Sequence, residues 1–420
     1  MNVSAHRRPR WIAAAVIAAV AAIAIAALFL RKTSDPGQET AEALGVSPFE
    51  LLAASIDEDF PQPPSRWAFE FPADQGAHDA YRTEWWYLSG TLSGGSDGGV
   101  PTLGVQWLLM RIGLRAEDRA NAPDDAERTA AGPEPSTLAA AEPVERSAWS
   151  TSQIYAALFS ISAPTGSGLR ADGKVSRGAL GLAGATAPPV RVWIEDWRLA
   201  ELEQNTEEAG AAPPFALHLD AEGLELDLEL RNAKPPITAG NLAGGAQAAP
   251  FQFYTQPRLE AQGTLGADGQ RIDVDGVFSL EHAWGELPLP GGPVGNDRFS
   301  LHLDDGSELI LLRTHRRRAG GERTASTTGL LIDPAGAAVP LADDDVALEP
   351  IEHWTSPRTG TRYPIRWNLR VPSRNMEMTL TPTAANHEGD TWLPFWAGPV
   401  RIEGTAAGSG FVQLNGYAEQ

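Results

Sequence analysis

Residues Phe215 to Leu230 alternate apolar and polar side chains almost without interruption. Phe215, Leu217 and Leu219 are followed, across Asp220-Ala221-Glu222-Gly223, by Leu224, Leu226, Leu228 and Leu230. A period of two places every leucine on one face of a strand and every carboxylate on the other, which no helix accommodates. The Gly-containing break is a hairpin signal. Phe299, Leu301 and Leu303, the turn Asp304-Asp305-Gly306, then Leu309 and Leu311 repeat the design. So do Ile365, Trp367, Leu369 and Val371 with Met376, Met378 and Leu380. Beyond residue 60 little of the chain has helical periodicity. The expected fold is all-β: two antiparallel barrels in tandem, since barrels abolish free sheet edges and enclose a core.

Trp11 to Leu30 is an unbroken apolar run, and about 20 such residues span a bilayer core as a helix. His6, Arg7, Arg8 and Arg10 precede it, whereas Asp35, Glu39 and Glu42 follow Arg31 and Lys32. This asymmetry predicts a transmembrane anchor with the bulk of the protein in the periplasm or outside the cell. A cleaved signal peptide is the competing reading: Ala24, Ala26 and Ala27 offer a cleavage site, and cleavage would make the protein secreted. The expected organisation is a cytoplasmic tip and anchor over 1–32, a tether over 33–65, and barrels over 66–287 and 288–420. Ala-, Gly- and Pro-rich stretches near 115–148, 234–250 and 319–328 read as surface loops. A faint echo links Leu259-Glu260-Ala261-Gln262-Gly263-Thr264, leading to Gly276, with Arg401-Ile402-Glu403-Gly404-Thr405, leading to Gly416-Tyr417.

A formal net charge of −21 argues against nucleic acid as a partner, because phosphates call for basic patches. The absence of cysteine removes disulfides, thiol nucleophiles and cysteine metal sites. No His-Glu-x-x-His pattern occurs, so neither a metal nor another cofactor is expected. Gly94-Gly95-Ser96-Asp97-Gly98 matches a nucleophile elbow formally, but it joins two β runs and lacks the strand-to-helix turn that positions such a serine.

Chemistry-bearing residues concentrate in two places. In Tyr81-Arg82-Thr83-Glu84-Trp85-Trp86-Tyr87, alternation puts Glu84, Trp86 and Leu88 on one face and Trp85, Tyr87 and Ser89 on the other. Bulk on both sides indicates a strand covered on both, either as a barrel seam with Arg82 paired to a carboxylate or as the wall of a site. Glu281-His282-Ala283-Trp284-Gly285, with Asp297-Arg298-Phe299 close behind, offers carboxylates and an imidazole beside an indole. Such a set can serve acid–base chemistry, or His282 can be a structural ring bonded to a main-chain carbonyl.

These residues resemble the carotenoid 1,2-hydratase and AttH-like family of lipocalin-like proteins, also described as predicted secreted hydrolases. The resemblance is carried by His78 with Tyr81 to Tyr87 and Gly90, by Gln106-Trp107 and Arg111, and by Glu195-Asp196-Trp197. It continues through Gly276 to Gly285, Gly295-x-Asp297-x-Phe299, Trp354-Thr355-Ser356-Pro357, Tyr363-Pro364-x-x-Trp367 and Gly410-Phe411 to Gly416-Tyr417. It implies two lipocalin-like barrels and an interest in hydrophobic or amphiphilic small molecules, in one branch beside ABC-type membrane transport components. Five positions depart from the family's usual residues: Ala283, Asn296, Arg298, Ala397 and Gln413.

Two functions follow as expectations. One is an anchored protein that binds a lipophilic ligand. The other is a hydratase- or hydrolase-like enzyme that adds water to an isoprenoid or lipid. Protonating an isolated alkene makes a tertiary carbocation, which needs a buried neutral acid and aromatic faces. Glu281 is the expected acid, with Asp297 or His282 as the base. Glu84, Trp86, Tyr254, Trp284 and Arg298 are the expected substrate contacts.

Overall fold

In a computed structural model the alternating segments become strands of two antiparallel sheets. The structure describes residues 60–64, 66–94, 100–114, 151–163, 168–202, 213–221, 223–238, 251–267, 269–285, 294–317, 323–391 and 394–418. The apolar run at 11–30 lies outside these residues. Among them no helix is long and apolar enough to cross a membrane.

The first sheet opens with β1 (Thr83–Gly94), β2 (Val100–Gly113), β3 (Gln153–Ser162) and β4 (Leu169–Arg177). Short strands β5 (Ala183–Thr186), β6 (Arg191–Ile194) and β7 (Trp197–Glu201) lead to β8 (Phe215–Ala221) and β9 (Leu224–Asn232). After β10 (Ile237–Thr238), two long strands close the set, β11 (Phe251–Ala267) and β12 (Gln270–Gly285). Their order is β4-β3-β2-β1-β12-β11-β9-β8-β7-β6-β5, with β10 on β11.

The second sheet contains β13 (Val294–Leu303), β14 (Glu308–Arg317), β15 (Arg323–Ile332), β16 (Ala338–Leu341) and β17 (Ala347–Thr355). It continues with β18 (Arg362–Val371), β19 (Met376–Pro382), β20 (Glu388–Asp390), β21 (Pro394–Gly404) and β22 (Gly408–Asn415). The order β16-β15-β14-β13-β22-β21-β19-β18-β17, with β20 on β21, repeats the first sheet from β4 through β7 and lacks counterparts of β6 and β5. The proposed division at 287/288 falls between β12 and β13, in residues outside those described.

Each sheet curls around one apolar core into a near-barrel, consistent with lipocalin-like barrels in tandem. The leucines of β8 and β9 meet Trp86, Leu88, Trp107, Phe159 and Trp197 in the first core. Phe299, Leu301, Trp367, Leu369 and Leu380 fill the second. Each such side chain, fully removed from water, contributes roughly 1.5–3 kcal/mol. The Gly263–Gly404 echo has a structural counterpart, because the two glycines lie on the topologically equivalent strands β11 and β21. A Cβ at Gly263 would fall 1.9 Å from the main-chain oxygen of Asp227, and one at Gly404 2.3 Å from that of Glu377. Neither position accepts a side chain.

The outward faces of β1 and β12 are covered by the second barrel. Trp85, Ala283, Phe251 and Phe253 pack with Ile310, Leu330 and Ile332, while Leu158 meets Phe395, Ala397 and Phe411. The two-sided bulk of β1 therefore has a physical cause. One expected loop is corrected: Arg323 to Thr328, within the stretch 319–328, belongs to β15. Its threonines suit a strand through their branched Cβ, and their polarity hid it from a reading of apolar alternation.

Candidate functional site

Residues 66–82 cross the mouth of the first barrel as a strap ahead of β1. A short 3-10 turn at Ala73–Gln75 aims Asp74 and, four residues on, His78 toward Glu84 at the start of β1. Trp86 Nε1 donates to the main-chain oxygen of Gln75 (3.1 Å), tying the turn to the barrel floor. The register sets Glu84 opposite Arg111 on β2 and Trp284 on β12, and Trp86 opposite His282. All point inward by strand parity.

Glu84 is fully buried and saturated with donors. Arg111 Nε donates to Oε2 at 2.8 Å, and the His78 main-chain N–H lies 3.1 and 3.0 Å from the two oxygens. His78 Nδ1 and His282 Nε2 both approach the single oxygen Oε1, at 2.8 and 2.9 Å. The outer nitrogens also face acceptors. His78 Nε2 lies 3.2 Å from Asp74 Oδ1 and His282 Nδ1 lies 3.1 Å from the Asp74 main-chain oxygen. A neutral imidazole donates once, so only an imidazolium satisfies two acceptors.

The environment separates the two rings. Burial works against charge on His78, but the bonds to Asp74 and Glu84 outweigh it and raise its pKa. Burial also disfavours charge on His282, the charge on His78 adds to that, and its pKa falls despite the bond to Glu84. Burial would raise Glu84, yet the Arg111 charge and the imidazole bonds hold it well below the usual carboxylate range. Asp74 is likewise lowered: burial is opposed by hydrogen bonds from His78 and the Glu70 main chain. The surroundings of Asp74 and Glu84 thus favour the charged form of His78 and disfavour that of His282.

Aromatic rings enclose the cluster. Trp284 lies flat on His78, with centroids 3.6 Å apart and planes at 3°. Trp86 stacks on His282 at 4.5 Å, and Tyr254 meets the same ring edge-on at 5.2 Å. Half-buried Trp67, Phe69 and Phe71 of the strap cap Tyr254 and Trp284. The Tyr254 hydroxyl is buried and has no hydrogen-bond partner among the described residues.

His78 Nδ1, Glu84 Oε1 and His282 Nε2 lie within 4.8 Å of one another and could hold a divalent cation. Their N···O separations are hydrogen-bond lengths, however, and Glu84 already accepts from Arg111 and a main-chain N–H. Protons alone meet the charge balance.

The expected acid–base set does not converge. His282 joins Glu84, Trp86, Tyr254 and Trp284, but its neighbour Glu281 points the opposite way, into the seam between the barrels. There Arg298 NH1 donates to Glu281 Oε2 at 2.5 Å, and the guanidinium lies over Trp85 and Tyr87 at 4.5 and 5.0 Å. Burial raises the Glu281 pKa and Arg298 pulls it back. Asp297 sits inside the second barrel, where its Oδ2 accepts from Arg313 and the Tyr417 hydroxyl, both at 2.9 Å. Consecutive strand residues face opposite sides, so no single cavity receives Glu281, His282 and Asp297 together. Arg298 is correspondingly a seam residue rather than a neighbour of His282. Of the departures from the family pattern, Ala283, Arg298, Ala397 and Gln413 all face this seam, while Asn296 accepts from Asn415 at 3.2 Å.

Sequence reasoning left Asp74 unmarked and did not assign His78 or Arg111 to the site. The arginine bonded to Glu84 is Arg111. The one available signal was the His78-x5-Glu84 spacing just ahead of an apolar strand.

The chain belongs to the AttH-like family, which matches residues 62–417. Among solved structures it is similar to an AttH protein from Nitrosomonas europaea, at 25% identity and a TM-score of 0.65, over 85% of this chain and 99% of that one. It shares the fold of kievitone hydratase from Nectria haematococca, at 11% identity and a TM-score of 0.53, over 86% and 99% of the two chains. No curated protein matches the sequence.

Proposed function

We propose that the protein is a hydratase-type acid–base catalyst acting on a hydrophobic molecule at the mouth of the first barrel. The observation that carries this reading is the pair of imidazoles bonded to one oxygen of Glu84 whose pKa values are pushed apart, His78 upward and His282 downward. Environments that separate two titratable groups in this way define an acid and a base. His78 is the acid, held by Asp74 and Glu84, and His282 is the base. Arg111 positions Glu84. Trp284, Tyr254, Trp67, Phe69 and Phe71 supply the apolar wall, and substrate enters as the 66–82 strap lifts.

The acid's chemistry narrows the substrate. An imidazolium is too weak an acid to protonate an isolated alkene, whereas water addition across a double bond conjugated to a carbonyl places charge on oxygen, within its range. This favours an enone-like lipophile over an acyclic carotenoid. The hydratase activity in the name of the Nectria protein, which shares only the fold, is compatible with this class.

The test is turnover by the purified protein of a conjugated enone and of an acyclic isoprenoid, followed by mass spectrometry for the gain of one water. Expected is enone hydration that falls about 10²–10⁴-fold in His78→Gln and His282→Gln and persists in Asp297→Asn. No turnover of either class, or turnover indifferent to both histidines, sinks the reading.

A second reading, capture of a lipophile without turnover, is favoured by the half-buried aromatic strap. Native mass spectrometry showing a co-purifying ligand and no hydration would select it. Placement outside the cytoplasm, and any association with membrane transport components, rest on the 11–30 run and on family resemblance, and stand as proposals.

A further inference from the structure

The motif Trp354-Thr355-Ser356-Pro357 with Tyr363-Pro364 takes no part in the first-barrel cluster. It builds the connection between β17 and β18 at the mouth of the second barrel. A buried carboxylate shapes that loop from beneath. Glu388, its side chain 4% exposed, lies 3.1 Å from the Arg358 guanidinium. It accepts from Ser356 Oγ at 2.5 Å, Thr359 Oγ1 at 2.6 Å and the Tyr363 hydroxyl at 3.1 Å. A loop clamped by one carboxylate is organised before any ligand arrives.

Beside the loop lies a cavity of about 640 Å³, inside the 300–1,000 Å³ range of small-molecule sites. Such sites are mostly apolar, but this one presents Thr359, Thr361, His353, Arg362 and the Tyr417 ring. Among the described residues none that lines it is a carboxylate, in a chain whose formal charge is −21. Arg362 makes no ion pair among the described residues. His353 and Arg362 lie on one face of the β17–β18 ladder, since Thr355 is the register partner of Arg362 and His353 stands two residues before it; burial and the Arg362 charge together lower the His353 pKa. Tyr417 is fixed at the floor by its 2.9 Å bond to Asp297.

We propose that the mouth of the second barrel binds a small oxyanion, a phosphate or carboxylate group, between Arg362 and His353 above the loop 356–361. A guanidinium offers such a group two parallel N–H donors, and Thr361 adds to the polar wall. The anion can be free or the headgroup of an anionic lipid. The site is separate from the proton cluster of the first barrel, and failure of either leaves the other standing.

The experiment titrates full-length protein with orthophosphate and, in parallel, with vesicles of anionic phospholipid. Expected is saturable binding with a dissociation constant near or below about 1 mM for orthophosphate. Arg362→Ala weakens it at least about tenfold, and Arg362→Lys, which keeps the charge but not the fork, by less. Arg370→Ala removes an exposed arginine of the same strand, paired with Glu349 at 2.8 Å, and leaves binding unchanged. Saturation by orthophosphate identifies a free anion as the source. Arg362-dependent binding to vesicles alone identifies a headgroup, and both uphold the oxyanion site. No saturable response to either probe, or one that survives Arg362→Ala in protein with an unchanged unfolding midpoint, overturns the proposal.

Discussion

The two barrels share an ion pair and differ in almost everything around it. Glu84 at the start of β1 is the register partner of Arg111 on β2, and Asp297 on β13 is the register partner of Arg313 on β14. The pair therefore belongs to the architecture: an inward carboxylate and an arginine join the first two strands of each sheet. Only Glu84 of the two carboxylates is hydrogen-bonded by two imidazoles. Matching positions through the ladders, His282 corresponds to Val412, Trp284 to Leu414 and Tyr254 to Gly398. Asp297 Oδ2 accepts from Arg313 and Tyr417, while its buried Oδ1 has no hydrogen bond among the described residues and faces His315 Nε2 at 3.5 Å. Glu84 instead holds two imidazoles on one oxygen. The acid–arginine pair is thus common to both barrels, and the imidazoles and the indole above them are what set the proposed site apart.

The largest expected effect comes from removing the shared carboxylate. Glu84→Gln leaves Arg111 buried without its partner and is expected to cost about 3–5 kcal/mol. Asp297→Asn, whose partner Arg313 reaches solvent, is expected to cost about 1–3 kcal/mol. Urea unfolding of both variants measures the gap, and equal costs would mean the imidazoles add nothing to Glu84. Next is Trp284→Leu, which gives the first barrel the residue of the second. It is expected to cost about 2–3 kcal/mol and to erase the upfield ring-current shift of His78 in proton NMR. A His78 resonance indifferent to that change would break the stacked geometry.

pH dependence sharpens the comparison further. The folded pKa of His78 is raised, so its contribution is fully present below the unfolded value of about 6.5. That contribution is lost as pH rises through the raised value. The folded pKa of His282 is lowered, so its contribution is present above about 6.5 and is lost as pH falls through the lowered value. The stability gap between wild type and His78→Gln should shrink on the alkaline side, and that for His282→Gln on the acid side. Parallel curves would remove the acid and base assignments. The smallest effect expected is that of zinc or a chelator, a change in unfolding temperature under about 1 °C, since a ligand stabilises only as it binds the native state. A large zinc-dependent rise would put a cation where we place protons.

Much of the fold was legible because alternation is local. The leucines of β8 and β9 announce an inward face whatever their partners. β15 was missed in part because Arg323 to Thr328 carry no apolar alternation, and a polar strand is identified only by the neighbours it pairs with. The site was legible only in fragments. His282, Trp284, Glu84, Trp86 and Tyr254 were marked and do meet, but His78 entered only as part of a family motif and Asp74 not at all. Their chemistry depends on a strap folding back over β1.

The sequence by itself determined the strands, their inward faces and the repeated unit, since side-chain parity and turn chemistry act over a few residues. Tertiary structure alone decided which carboxylate meets which histidine. Glu281 and His282 are adjacent in the chain, yet the pleat sends one to the seam and Arg298. It sends the other to Glu84, almost two hundred residues away in sequence and one hydrogen bond away in space.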